Sequence, residues 1–267
     1  VNSKSKSMVE FQERFGGIAR LYGIREAKVL QETHFAVIGI GGVGSWAAEA
    51  LARSGIGQIT LIDMDEVCLT NTNRQVHAET TTVGVMKTSA MKRRIKAINP
   101  DCEVIEEKQF FTSNSSDDLL SNGYKCIVDA IDDCKNKCLL LSRCKKAKIP
   151  VVTTGGAGGK RDPAQVIVAD ITKSYNDPLM ARVRKKLRQE YGFSRNPKRS
   201  WGIPCVFSPE EVVYSDSDGS VCKAKPENVE LQLDCNSGYG TASFLTGTIG
   251  FHATAKAIEL VLRRAAY

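Results

Sequence analysis

The run Gly39-Ile40-Gly41-Gly42-Val43-Gly44 constrains this chain more than any other stretch, because of what flanks it. An apolar run from Phe35 to Ile40 leads into it, and helix-compatible residues from Ser45 to Arg53 follow, which is the opening of a βα unit. Missing Cβ atoms let the backbone turn tightly and approach a phosphate, while free N–H groups at the helix start supply donors and positive potential. Asp63 ends the next short apolar run, Ile59 to Ile62, nineteen residues past Gly44. There a carboxylate can accept from both hydroxyls of a ribose. Such a turn suits NAD, FAD or ATP equally, and in some parallel sheets it serves packing alone.

The rest of the chain extends the same alternation. Residues Val85 to Ile98 carry Met91, Ile95 and Ile98 at helical spacing, and Asn99-Pro100 stops them. Strand-like runs recur at Cys102 to Ile105, Cys126 to Ile131, Val151 to Thr154 and Val166 to Ile171. The predicted class is α/β, a doubly wound, mainly parallel sheet with helices on both faces and ligands at the carboxyl ends of the strands. From Lys173 the alternation gives way to a basic helix at about Pro178 to Tyr191, a loop containing Trp201 and Pro204, a polar stretch, and a helix from Gly238 onward. This last third is expected to elaborate the core as a helical and irregular extension, with a basic insertion at about 173–205. Residues 1–8 read as a disordered leader and residues 9–267 as a single domain.

Composition narrows the function classes. With 267 residues and 42% apolar content the chain can bury a sizeable core, so it is neither disordered nor fibrous. Lys and Arg number 37 against 30 Asp and Glu, a net charge of +7. Between Lys173 and Arg199 alone stand nine basic and two acidic residues, so the local excess equals that of the whole chain. Nine cysteines are scattered without a CxxC pair, which points to a reducing, cytoplasmic setting; import into an organelle through a removed leader stays open. His34, His77 and His252 show no ligand spacing, so no zinc site is expected. Residues 238–262 are interrupted by His252, Lys256 and Glu259 and read as a buried or interface helix, not a membrane span.

The residues that follow Asp63 decide between nucleotides. Hydride transfer needs no cluster of phosphate-neutralising groups, whereas breaking a phosphoanhydride needs cations and a metal ion around the phosphates. Here Asn71, Asn73, Arg74 and Gln75 stand together, Lys87 opens a helix, and Asp132 follows a strand in the run DAIDD.

Those motifs, in that order, resemble the ATP-binding half of ubiquitin-activating enzymes and of the bacterial adenylating enzymes for molybdopterin and thiazole synthesis, a Rossmann-like superfamily. Five further stretches (RFGGIARLYG, GIGGVGSWAAEALARSGIG, IDMDEVCLTNTNRQ, VVTTGGAGG and DCNSGYG) are similar to the tRNA threonylcarbamoyladenosine dehydratase branch. The likeness runs from about Arg14 to Phe251. It implies a homodimer that uses ATP and Mg2+ to adenylate the carboxylate of threonylcarbamoyladenosine in tRNA and close it into a ring with loss of water. Cysteine desulfurase and sulfur-acceptor proteins are implied as partners.

By the same resemblance Gly39, Gly41, Gly42, Gly44 and Asp63 hold the adenosine and α-phosphate. Asn71, Asn73, Arg74 and Gln75 hold the phosphates, Lys87 neutralises the leaving pyrophosphate, and Asp132 holds the magnesium ion. Each has a plainer reading: a solvated charge for Arg74 and Lys87, and a cap on the helix Asp133 to Lys148 for Asp132. Relatives reach across the dimer with an arginine from an RYxR segment. The second arginine of that segment corresponds to Gly17 here, leaving Arg14 and Arg20 as candidates. Cys235, before a glycine-rich turn, is a candidate nucleophile or a small core residue. The basic insertion suits a tRNA backbone, with Tyr191, Phe193 and Trp201 as candidate stacking groups. Three other readings remain: adenylation of the carboxyl end of a small ubiquitin-like sulfur carrier, a nicotinamide-dependent dehydrogenase, and a non-catalytic scaffold.

Overall fold

In this computed structural model the described residues are 3–215, 219–223 and 240–266, with side chains described from Val9 onward. The first strand, β1 (His34–Ile38), shows why the core forms. Phe35 and Val37 point into one apolar cluster, Ala36 and Ile38 into another. Both faces are buried, so the strand reads as continuous apolar sequence without alternation.

Six more strands complete the main sheet: β2 (Gln58–Ile62), β3 (Glu103–Glu107), β4 (Cys126–Asp129), β5 (Val151–Thr154), β6 (Ile167–Asp170) and β7 (Pro204–Phe207). Their spatial order is β3-β2-β1-β4-β5-β7-β6, parallel throughout except for the last pair. The chain starts in the middle, builds outward through β2 and β3, then returns to place β4 beside β1. At that reversal the loops leaving β1 and β4 diverge and open a crevice at the carboxyl ends. Tyr214–Ser215 and Val221–Cys222 form a separate small antiparallel pair.

Helices cover both faces. On one side α2 (Ile24–Gln31), α3 (Gly42–Arg53), α4 (Lys87–Ile98) and α8 (Ser243–Ala265) pack over Phe35, Val37 and Val128. On the other, α5 (Ser116–Leu120), α6 (Cys134–Ala147) and α7 (Pro178–Glu190) pack over Ile38, Ile127 and Cys205. The sequence leads one to expect α8 from Gly238; its described helix starts at Ser243. Its Ala253 and Ala257 are fully buried, and the Thr254 hydroxyl donates to the Ala47 carbonyl of α3 at 3.1 Å. No helix among the described residues is long and apolar enough to cross a membrane.

Several local expectations need correction. The first helix, α1, spans Ser3–Tyr22, so helix already begins within the segment read as a leader. Nothing from Ser3 to Ser7 breaks it, since no Gly or Pro occurs there. Pro204 does not sit in a loop but opens β7, parallel to β5 and antiparallel to β6. Proline is tolerated at the first residue of a strand, where its missing N–H costs little. Trp201 is not a free stacking group: it is 4% exposed, its ring meets Phe193 edge-on at 4.7 Å, and Arg188 lies over it at 5.2 Å. Tyr191 and Phe193 pack against the same apolar cluster, because this part of the insertion builds core and only its far side faces solvent.

Asp177 joins two parts of this architecture. It caps α7 by accepting from the Met180 amide at 2.9 Å, and its other oxygen accepts from the Gly156 amide, also at 2.9 Å. Buried to 3% exposure, it fixes the loop after β5 to the start of the basic helix.

Candidate active site

A cleft of about 760 Å³ opens at the switch point between β1 and β4. Its base is the glycine turn. Gly39 has a φ of +86°, and a Cβ there would meet the Ala130 carbonyl oxygen at 2.7 Å. A Cβ on Gly44 would lie 1.8 Å from the Gly39 carbonyl oxygen, so only glycine lets α3 start this close to β1. Gly41 and Gly42 line the cleft itself, and a Cβ on Gly41 would meet nothing within 4 Å. No side chain caps α3, so its first N–H groups remain available to an anion.

Asp63 lies at the end of β2 and does more than wait for a ribose. One carboxylate oxygen accepts from the Ile40 amide at 2.6 Å and the other from the Asp65 amide at 2.8 Å. It is 7% exposed, and burial raises its pKa above the usual carboxylate value, opposed by Lys87 and by the two amides. The turn and the strand end are thereby locked together.

Arg74 is presented by its backbone. The Trp46 indole and the Thr246 hydroxyl both donate to its carbonyl, at 3.0 and 3.1 Å. Its guanidinium reaches the Thr70 carbonyl at 2.8 Å and the Asn73 side-chain oxygen at 3.0 Å, while Asn73 donates to the Thr241 carbonyl at 2.9 Å. Asn71 is buried and accepts from the Cys68 amide at 3.1 Å. Gln75 is 6% exposed, lines the cleft, and its side-chain amide oxygen has no partner among the described residues. An unsatisfied buried acceptor at a ligand cleft fits a site that a ligand or water completes.

Lys87 is the first residue of α4. Its ammonium holds Asp65 at 2.8 Å with only 9% of the side chain exposed, and it still lines the cleft. Asp132 lines the opposite wall. The alternative that it caps α6 does not hold, because Asp133 is the cap and accepts from the Asn136 amide at 2.8 Å. Asp132 is exposed and makes no hydrogen bond or ion pair among the described residues. Mg2+ at a nucleotide takes one or two carboxylates with waters and phosphates, so a free carboxylate here fits it.

The fold brings Gly41, Gly42, Asp63, Asn71, Asn73, Arg74, Gln75, Lys87 and Asp132 to one cleft. Gly39 also lines it, while Gly44 acts behind it through packing. Arg14 and Arg20 lie exposed on α1 and do not line this cleft. Cys235 lies outside the described residues. Among the described residues no cluster of three or more His, Cys, Asp or Glu could hold a metal ion.

Several participants were not foreseen. Trp46 and Thr246 act through indole and hydroxyl contacts, respectively, that no local pattern announces. Asp129 and Lys137 form an ion pair of 3.0 Å with both side chains fully buried under the cleft. His77, 2% exposed, has no partner for either ring nitrogen among the described residues. Burial, with Lys87 and Arg94 nearby, pushes its pKa down to about 4, so it is neutral at ordinary pH.

The family model described as the ThiF family matches residues 17–266. Over 258 residues the chain is 48% identical to the tRNA threonylcarbamoyladenosine dehydratase of Escherichia coli (strain K12), which covers 96% of each. The dehydratase of that name from Haemophilus influenzae is 45% identical over 255 residues, 95% of each chain. A crystal structure of the Escherichia coli tRNA N6-threonylcarbamoyladenosine dehydratase in complex with ATP is similar with a TM-score of 0.85, at 44% identity over 96% of both chains. Matched over nearly its whole length by that model and by these relatives, the chain belongs to the ThiF family.

Proposed function

We propose that the chain is an ATP-dependent tRNA threonylcarbamoyladenosine dehydratase. One observation carries the reading: an uncapped helix start, Arg74, Lys87 and Asp132 converge on a single cleft at the switch point. The whole-length likeness to dehydratases favours this substrate over the tail of a small sulfur carrier.

The chemistry asked of the protein is electrostatic. The substrate carboxylate attacks the α-phosphate of ATP, pyrophosphate leaves, and an acyl-adenylate remains. Gly41, Gly42 and the first amides of α3 seat the phosphates, and Asp63 holds the ribose. Arg74 and Lys87 stabilise charge as it builds on the departing pyrophosphate. Asp132 would hold a magnesium ion, whose contribution is to neutralise the phosphate oxygens. A nearby atom of the same nucleoside side chain then displaces AMP and closes the ring, a step assisted because both reactants are already tethered.

The tRNA backbone meets the exposed cations of the insertion, including Lys173, Arg182, Lys185, Arg195 and Lys198. Neither Arg14 nor Arg20 lines the cleft of its own chain, so a role for either requires the cleft of a second copy; the active form is a homodimer. Sulfur-transfer proteins of the cysteine desulfurase type stay in the proposal on resemblance alone.

The test is incubation with ATP, Mg2+ and tRNA carrying threonylcarbamoyladenosine, followed by nucleoside mass analysis. Loss of one water, with AMP and pyrophosphate as products, is expected. An unchanged nucleoside, or turnover to ADP and phosphate, would falsify the proposal. Adenylation of an added carrier tail instead would establish the rival acceptor.

A further inference from the structure

Beneath the cleft lies a charged pair that the reaction does not touch. The Lys137 ammonium lies 3.0 Å from one Asp129 carboxylate oxygen and donates to the Asp129 and Ile131 carbonyls at 3.4 and 2.8 Å. Its three protons therefore all go to one strand end. Asp129 answers through its other oxygen, which accepts from the Ile131 amide at 3.1 Å, while the Thr153 hydroxyl donates to the first at 2.6 Å. Both backbone polar groups of Ile131 are thus fixed by this pair.

The Ile131 carbonyl belongs to the peptide plane that also contains the Asp132 nitrogen, so holding that oxygen sets the direction in which Asp132 leaves the strand. On the other side, Asp133 is anchored by its bond to the Asn136 amide. Asp132 is suspended between two fixed neighbours, with only its side chain at liberty. A buried ion pair is seldom a net gain over apolar residues of similar volume, since taking both charges out of water offsets their attraction. Stability alone does not account for one here.

We propose that Lys137 and Asp129 are positioning residues that aim the Asp132 carboxylate, and so set how strongly the nucleotide site uses a divalent cation. The proposal rests on the reading of Asp132 as the magnesium carboxylate. Neither positioning residue touches nucleotide or substrate; both act through the Ile131 peptide.

The test measures ATP binding by calorimetry with and without Mg2+, together with melting temperature. The informative variant is the double substitution Lys137→Met with Asp129→Asn, which removes both charges and leaves none buried alone. It should bind ATP without metal like the parent, yet lose roughly tenfold of the tightening that Mg2+ confers, as is typical when a group behind a metal ligand is removed. Thr153→Val keeps both charges but deletes one donor to Asp129, and should shift the Mg2+ effect in the same direction by a smaller factor. It decides the matter if the double variant does not fold. Asp132→Asn serves as reference. If that variant keeps the full Mg2+ effect, the reading of Asp132 is wrong. If it loses the effect while the folded double variant, or Thr153→Val in its place, keeps it, the positioning role is overturned.

Discussion

The floor and the rim of the cleft are built on opposite rules. On the floor, Asp63, Asp129, Lys137 and Gly44 are buried, and the polar ones are bonded to their own chain. On the rim, Arg74 is held by its backbone, Lys87 by one half-exposed carboxylate, and Asp132 by nothing among the described residues. Groups whose bonding capacity is spent define a shape; groups with capacity left over meet a ligand. Floor substitutions should therefore cost stability, and rim substitutions should cost rate.

The largest effect falls on the floor. Gly44→Ala places a Cβ against the Gly39 carbonyl with no side chain that can yield, so α3 or β1 must shift. Unfolding in urea should show a loss of more than about 4 kcal/mol, the range reserved for core disruption. A fully stable variant would break the comparison at its firmest point. On the rim, Arg74→Ala should lower the rate of AMP formation by ~100-fold to 1000-fold with little change in melting temperature. Instability equal to the loss of rate would mean that Arg74 is part of the scaffold.

His77 sharpens the comparison through pH. Its folded pKa of about 4 lies below the ordinary value of 6.5, so between those values the unfolded chain binds a proton that the folded chain does not. Stability must then fall as the pH drops through that window, by about 3 kcal/mol in all, and the loss stops below about pH 4. Asp63, raised by burial, changes in the opposite sense, so the measurement is the difference from His77→Gln, which should lack this component. Parallel stability profiles for parent and variant would show that the buried imidazole of His77 carries no such pH dependence. The smallest effect belongs to the outer surface: Lys185→Glu should weaken tRNA binding by about 1 kcal/mol and flatten its salt dependence, leaving ATP affinity alone. A tRNA affinity indifferent to salt would detach the insertion from the substrate.

Legibility followed the range of the interactions. The glycine turn, Asp63 and the Lys87 helix start were readable because each is a local backbone event with a short pattern. β7 was not, because four residues beginning with Pro204 carry too little periodicity, and pairing with β5 is settled by tertiary contact. The hold on Arg74 spans 172 residues to Thr246, beyond any pattern in one sequence. Lys137 stands in a run of polar residues that reads as a solvated helix start, and its burial follows only from the sheet that lies beneath it. Trp201 misled for the converse reason: a lone aromatic among cations suggests an open stacking surface, but here the insertion folds back and closes over it.

Asp177 belongs to two structures at once, since one oxygen starts the basic helix and the other holds the lip of the nucleotide cleft at Gly156. A cargo that settles on that helix leans on the same carboxylate that fixes the lip. The outer helix and the inner chamber therefore share an anchor no wider than one side chain.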